Sequence, residues 1–299
     1  MSQSRRRFLV ATAAGAGVHH CGPLLAAVVP SCPSDGAGER LLAQDRRLRM
    51  QVLFHNPLHR ELRDQRFWCY LPMTDSGQTL SQVTASVEHQ VTMDAWGHQV
   101  LSLRFDRFPA YGSQTVGISV LVRKNEMPCA HASDDPRRWL RPGPFVESDA
   151  PEILTLGHQL HRPAAMDTLR SIYHWVRGEM SYEGYVPQDR GALHALRTRM
   201  GDCTEYAALV VALSRANGVP ARMLGGYVVD RDALLRATDY HNWAEVLLDG
   251  GWCILDAQKG QWMPSHKRYV PFEIYRDQVT NDMGSAHRYR VEGDVEVAV

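Results

Sequence analysis

The stretch from residue 201 to 220 constrains the fold most, because a lone thiol stands at the start of an apolar, helix-forming run. Asp202 is a good N-cap residue, and Glu205 follows at the spacing of a capping box. The run ends at Asn217-Gly218, with a proline two residues later. Cys203 is therefore predicted to lie in the first turn of a helix, where free backbone N–H groups and the helix dipole favour the nucleophilic thiolate. A structural cysteine buried beneath the helix is the alternative.

A hairpin downstream supplies two further side chains with useful chemistry. Residues 240–248 read as a strand, Asp249-Gly250 is a two-residue turn, and residues 251–256 return as a second strand. In that register His241 and Asp256 are diagonal neighbours on one face, about 7–8 Å apart at the backbone, a span that an imidazole and a carboxylate can bridge. A three-residue loop would place them on opposite faces. The length of the turn therefore predicts a His241–Asp256 hydrogen bond.

These three side chains have the roles of nucleophile, general base and orienting carboxylate. The segments 201–226, 241–245 and 252–256 resemble the transglutaminase-like superfamily of papain-type thiol enzymes, and the likeness extends over roughly residues 150–260. The resemblance implies an α+β catalytic domain in which the helix carrying Cys203 packs on an antiparallel sheet. Many relatives have proline where this chain has Ala257, which affects the expected loop and not the triad.

The chemistry that follows from this triad is acyl transfer, with hydrolysis of peptide or amide bonds favoured. Transfer of the acyl group to an amine, as in protein cross-linking, uses the same triad and is the alternative, and a non-catalytic exported scaffold is another. The oxyanion needs hydrogen-bond donors, of which the Cys203 backbone N–H is the first. Tyr182 and Tyr185 are candidates for the second, although either one is also explained by packing.

Composition and spacing limit the other classes of function. The chain has 33 Lys plus Arg and 33 Asp plus Glu, so no charge excess indicates a nucleic-acid partner. No two cysteines stand at the Cys-x-x-Cys spacing of zinc sites, and no metal or cofactor is expected. The expected partner is a peptide or protein substrate.

The N-terminus predicts export. Arg5-Arg6 precede Phe8-Leu9 and a short, mildly apolar run, which looks like a twin-arginine signal and is too short to span a membrane. A disordered basic tail is the alternative, and a lipid anchor at Cys32 is a minority one. The expected location is periplasmic or extracytoplasmic, with no stable membrane insertion after signal removal. The other cysteines, Cys69, Cys129 and Cys253, are expected to be free and buried, although a Cys69–Cys129 bridge formed after export stays open.

The predicted organisation is an α+β chain in six segments. They are a signal (1–30), a flexible linker (31–46), an antiparallel β-sandwich-like domain (47–123), a second linker (124–150), the transglutaminase-like domain (151–280) and a polar tail (281–299). Strands are predicted in the β domain at 48–54, 67–71, 85–91, 99–105 and 115–122. Helices are predicted at 152–160 and 164–180, and residues 268–272 are compatible with a further strand of the catalytic sheet.

Overall fold

Alternating burial along the first strand shows how the N-terminal domain is built. The computed structural model describes residues 45–75, 77–125, 135–276 and 280–299. In β1 (Asp45–His55), Leu48, Met50, Val52 and Phe54 are buried, and most of the residues between them face solvent. This period of two is the pattern of a strand with one face on a core. The strand begins at Asp45, so the last two residues of the predicted first linker belong to it.

Two sheets, in which the pairings among the first six strands are all antiparallel, share the core of this domain. Its first six strands are β1, β2 (Leu62–Leu71), β3 (Gln78–Ala85), β4 (Gln90–Met93), β5 (Gln99–Phe108) and β6 (Ser113–Lys124). One sheet contains the order β1-β6-β3 and the other the order β2-β5-β4. The α+β class with an N-terminal β-sandwich-like domain is confirmed.

The predicted strand at 85–91 is wrong. The structure ends β3 at Ala85 and begins β4 at Gln90. Because β3 pairs with β6 and β4 pairs with β5, the chain crosses from one sheet to the other between these two residues. A segment that changes sheets cannot continue as one strand.

The middle of the chain forms a helical layer and a third sheet. The helices are α1 (Pro151–Leu160), α2 (Ala165–Glu179), α3 (Gly191–Thr198) and α4 (Cys203–Ala216), and short 3-10 turns occupy Pro136–Leu140, Ala237–Asp239 and His266–Arg268. The strands are β7 (Ser181–Tyr182), β8 (Met200–Gly201), β9 (Ala221–Val228), β10 (Ala233–Leu234), β11 (His241–Leu248), β12 (Gly251–Asp256), β13 (Gln261–Trp262) and β14 (Tyr269–Ile274). Five of them form an antiparallel sheet in the order β13-β12-β11-β9-β14, so the strand compatible with residues 268–272 is present as β14.

Helix α4 lies at the centre of this region. Every residue from Thr204 to Ser214 is buried, because the helix packs between the other helices and one face of the sheet. A helix that is buried on all sides needs apolar residues all round, which explains the unbroken run in the sequence. The helix is thereby held rigidly, and so is the residue at its start.

The opposite face of the sheet packs against the β domain. Trp243, Trp252 and Ile254 form a cluster there with Met73 and Trp139. Trp139 is only 4% exposed and packs edge-on to Trp252, with ring centroids 6.0 Å apart. Within the second linker that the sequence predicts, Trp139 therefore fills the interface between the domains, while Arg137, Arg138 and Arg141 are exposed.

The β domain also holds β14 by hydrogen bonds. Gln78 Nε2 donates to the carbonyls of Met73, at 2.7 Å, and Pro271, at 2.8 Å. Lys124 Nζ donates to the carbonyl of Tyr269 at 2.8 Å, and both polar side chains are buried. Strand β14 is thus bound on one side by β9 and also by groups of the N-terminal domain.

The predicted polar tail is instead part of the β domain. Strand β15 (Tyr289–Glu292) pairs with β2, and β16 (Glu296–Ala298) pairs with β1, so the C-terminal segment adds a strand to each sheet. Gln65 fixes the turn between them, since its Oε1 accepts the backbone N–H groups of Asp294 at 2.7 Å and Val295 at 2.9 Å. The apolar residues of this segment join the core of the β domain, where Met283 and Val295 are buried.

The predicted signal at 1–30 and most of the first linker lie outside the described residues. Within the ranges that the structure describes, no helix is both long and apolar enough to cross a membrane.

Candidate active site

The first turn of α4 is fixed by a capping box. Asp202 Oδ1 accepts the Thr204 N–H at 2.7 Å, and Glu205 Oε2 accepts the Asp202 N–H at 3.0 Å. Both carboxylates are buried, and the second oxygen of Asp202 accepts the Val186 N–H at 3.0 Å. The predicted N-cap and capping box are therefore both present. They place Cys203 as the first residue of the helix.

Glu205 also ties the helix to the loop before α3. Its Oε1 accepts the Arg190 N–H at 3.0 Å, and the Arg190 guanidinium contacts both Glu205 and Glu183. A Cβ at Gly201 would lie 2.3 Å from the Cβ of Glu205, so only glycine allows this side chain to turn back beneath the chain. The close contact of Gly201 with the Glu205 side chain therefore fixes the backbone of the segment that carries the thiol.

The hairpin has the predicted register. Leu248 pairs with Gly251 and Leu247 with Trp252, so the connection is the two-residue turn Asp249-Gly250. Both turn residues have positive φ, 48° and 82°, as a tight hairpin turn of this type requires. His241 and Asp256 therefore reach the same face.

His241 and Asp256 form a buried pair. Nε2 of the ring lies 2.8 Å from Asp256 Oδ2, and the two residues are 4% and 1% exposed. Since a carboxylate only accepts, Nε2 carries the shared proton and Nδ1 is the nitrogen left to act as a base. The imidazole also stacks on Trp243, with centroids 6.3 Å apart and planes 28° apart.

Two further donors hold Asp256, and the sequence did not reveal them. Tyr269 O–H donates to Asp256 Oδ2 at 2.8 Å, and the Lys259 N–H donates to Oδ1 at 3.0 Å. Tyr269 comes from β14, which pairs with β9 at the edge of the sheet. The possible strand at 268–272 was the only sequence feature that could have indicated the Tyr269 contact. No local spacing connects that strand with residue 256.

The thiol lies against the start of β11. The backbone N–H of Asn242, next to His241, hydrogen-bonds Cys203, and the Asn242 side chain donates to Thr204 Oγ1 at 2.7 Å. The structure thus brings the start of β11 to the first turn of α4.

Burial raises the pKa of the Cys203 thiol to about 12, and the neighbouring Asp202 charge acts in the same direction. Hydrogen bonds from the N–H groups of Asn242 and Cys203 oppose this rise without cancelling it. The backbone N–H group at the helix start thus favours thiolate as expected, but desolvation outweighs it. The free thiol is protonated at neutral pH.

The two candidate oxyanion tyrosines are placed differently. Tyr182 is the last residue of β7 and pairs with Gly201, and burial together with the nearby Cys203 raises its pKa. Its side chain is 55% exposed, on the surface beside the thiol. Tyr185 instead accepts a hydrogen bond from Arg288 at 2.9 Å and stacks with that guanidinium. Of the two, Tyr182 is the one near Cys203.

Of the other cysteines, Cys69 and Cys253 differ in their bonding state. Cys69 is free and buried as expected, so it does not form the bridge to Cys129 that the sequence left open. Cys253 is buried but disulfide-bonded, and Cys129 lies outside the described residues. The expectation of a free Cys253 is therefore wrong, because spacing alone does not show which segment reaches a cysteine.

Comparison with known proteins identifies the region around this site. Residues 156–257 match the family model of the transglutaminase-like superfamily. A candidate cysteine protease of Cytophaga hutchinsonii is similar in fold, with a TM-score of 0.63, 16% identity and coverage of 87% of this chain and 89% of that chain. For the periplasmic domain of TgpA from Pseudomonas aeruginosa bound to ethylmercury, the TM-score is 0.38 and the identity 17%. That match covers 73% of this chain and 90% of that chain. No curated protein matches the sequence significantly.

The raised pKa of Cys203 predicts the pH dependence of its alkylation. Below its pKa, the thiolate fraction rises tenfold per pH unit, so the rate with iodoacetamide should rise about tenfold per unit from pH 7 to pH 9 without a plateau. Mass spectrometry of the labelled peptide gives the rate. Cys69, buried and free, is the internal control and should stay unlabelled in folded protein. A plateau below pH 8 would instead show a thiolate already formed.

Proposed function

We propose that this chain, whose residues 156–257 form a transglutaminase-like domain, is a thiol enzyme that cleaves peptide or amide bonds through Cys203, His241 and Asp256. One observation carries the proposal: the buried His241–Asp256 hydrogen bond at 2.8 Å, formed where β11 meets the helix start that holds Cys203. A nucleophile, a base and a group that orients the base are the minimum for acyl transfer.

The raised thiol pKa defines the first step. Because Cys203 is protonated at rest, His241 Nδ1 accepts its proton while Sγ attacks the carbonyl carbon. The tetrahedral intermediate then expels the amine, which takes the proton from His241, and a thioester to Cys203 remains. Water attacks the thioester with His241 again as the base, releasing a carboxylic acid and the thiol. Asp256 keeps the ring in the required tautomer throughout.

Peptide libraries test the proposal by mass spectrometry. Wild-type protein should create new peptide termini, and Cys203→Ser should create none. Asp256→Asn should retain the fold but lose turnover by up to about 10⁴, the loss known for a wrong tautomer. Adding a primary amine separates the alternatives: incorporation of the amine with loss of ammonia indicates cross-linking chemistry, and absence of both products indicates a non-catalytic scaffold.

The oxyanion donors are also proposed. The Cys203 backbone N–H at the start of α4 is one, and Tyr182 O–H, beside the thiol, is the other. A donor used only in the transition state lowers kcat and leaves KM nearly unchanged when it is removed. Tyr182→Phe should therefore lower kcat by on the order of 10²-fold. Tyr185→Phe is the matched control, because its hydroxyl faces Arg288, and equal effects of the two changes would contradict the assignment.

Export is the remaining part of the proposal. The Arg5-Arg6 pattern supports a twin-arginine signal, and the disulfide at Cys253 suits an oxidising compartment. Fractionation of cells that express an Arg5→Lys, Arg6→Lys variant tests it. The variant should accumulate in the cytoplasm, whereas unchanged export would rule the signal out.

A further inference from the structure

The carboxylate of Asp256 serves two side-chain donors at one oxygen. His241 Nε2 and Tyr269 O–H both bond Oδ2 at 2.8 Å, and the Lys259 N–H occupies Oδ1. Because the two donors share one oxygen, the strength of one bond affects the other. The tyrosine therefore competes with the imidazole for the same negative charge.

Tyr269 is held rigidly at this position. Its side chain is buried, and its ring packs edge-on to Trp243, with centroids 5.1 Å apart, while Trp243 stacks with His241. Its carbonyl accepts from the buried Lys124 of the β domain at 2.8 Å. Neither ring nor backbone can move away from Asp256 without breaking these contacts.

The tyrosine hydroxyl keeps its proton throughout the working pH range. Burial raises the pKa of Tyr269 well above its usual value, and the Asp256 charge raises it further. The hydroxyl can therefore only donate to the carboxylate. A donated hydrogen bond stabilises the carboxylate charge and reduces its pull on the proton of a neighbouring imidazolium.

We propose that Tyr269 is a positioning residue that acts through Asp256 to keep His241 a weaker base than a free His–Asp pair would make it. The proposal rests on the proposed function of the triad. Its consequence is a His241 that is neutral, and able to accept the Cys203 proton, at lower pH than it would otherwise be. The sequence assigned no role to this tyrosine.

Other charged or titratable groups also face the pair and stay constant in the test. They are Cys203 on α4, Tyr173 on α2 and Arg268 in the turn before β14. A variant that removes only the Tyr269 hydroxyl therefore isolates its effect. Tyr227→Phe is the matched control, since it removes a buried hydroxyl from the adjacent strand, and its ring packs with Phe272 in the β-domain core.

The experiment compares Tyr269→Phe and Tyr227→Phe with wild type by two measurements. The first is the pKa of His241, followed by NMR of labelled histidine in a Cys203→Ser background and assigned with a His241→Gln variant. The second is the pH profile of kcat/KM, whose acid limb reports the pKa of the base in the free enzyme.

Tyr269→Phe should raise the pKa of His241, because loss of the donated hydrogen bond strengthens the pull of Asp256 on the imidazolium proton. The acid limb should move to higher pH by the same amount, so the loss relative to wild type grows as pH falls. Tyr227→Phe should change neither. An unchanged His241 pKa, with activity lost equally at all pH values, would show a purely structural role and overturn the proposal.

Two safeguards keep the outcome decisive. If Tyr269→Phe does not fold, 3-fluorotyrosine at position 269 is the second variant. It keeps the hydroxyl and makes it a stronger donor, so the pKa of His241 should fall, and no change would overturn the proposal.

If wild type turns over no substrate, the proposed function fails, yet the NMR titration still decides the role of Tyr269.

Discussion

A carboxylate that is 1% exposed must accept hydrogen bonds, and Asp256 receives them from three separate places in the chain. His241 comes from β11, Tyr269 from β14 and the Lys259 N–H from the turn after β12. Leaving a buried charged group without a partner costs roughly 1–3 kcal/mol or more. The hydrogen bonds of Asp256 are therefore complete only when three features occur together. These are the two-residue hairpin turn, the pairing of β14 with β9 and the orientation of the imidazole.

The β domain takes part in this arrangement through β14. Lys124 and Gln78, both buried, donate to carbonyls of that strand, and burial lowers the pKa of Lys124 to about 8. Such groups are costly to bury and are stable only with their partners in place. Their contacts, together with Trp139 in the interface, favour a β domain that fixes the sheet carrying His241 and Asp256 rather than one that only follows a flexible linker.

The sequence predicts what local spacing determines. Asp249-Gly250 fixed the hairpin register, and Asp202 with Glu205 fixed the start of α4, because turns and caps depend on neighbouring residues. Prediction from the sequence fails for contacts between segments that are far apart in the chain. The C-terminal strands form by pairing with β1 and β2 at the other end of the chain, and Trp139 is buried by a partner more than a hundred residues away. The Tyr269–Asp256 bond depends on strand order, which no motif reveals.

The protonation state of the Cys203 thiol depends on which of two opposing effects is larger, the helix start or burial. A helix start favours an anion by about 0.3–1 kcal/mol, and up to ~2 in partly buried geometry. The rise in the pKa of Cys203 from 9.0 to about 12 corresponds to roughly 4 kcal/mol in the other direction. The helix alone cannot supply a thiolate at neutral pH, so in the proposed mechanism the proton leaves as the sulfur attacks. The proposed rate then depends on the position of His241, which its hydrogen bond to Asp256 holds.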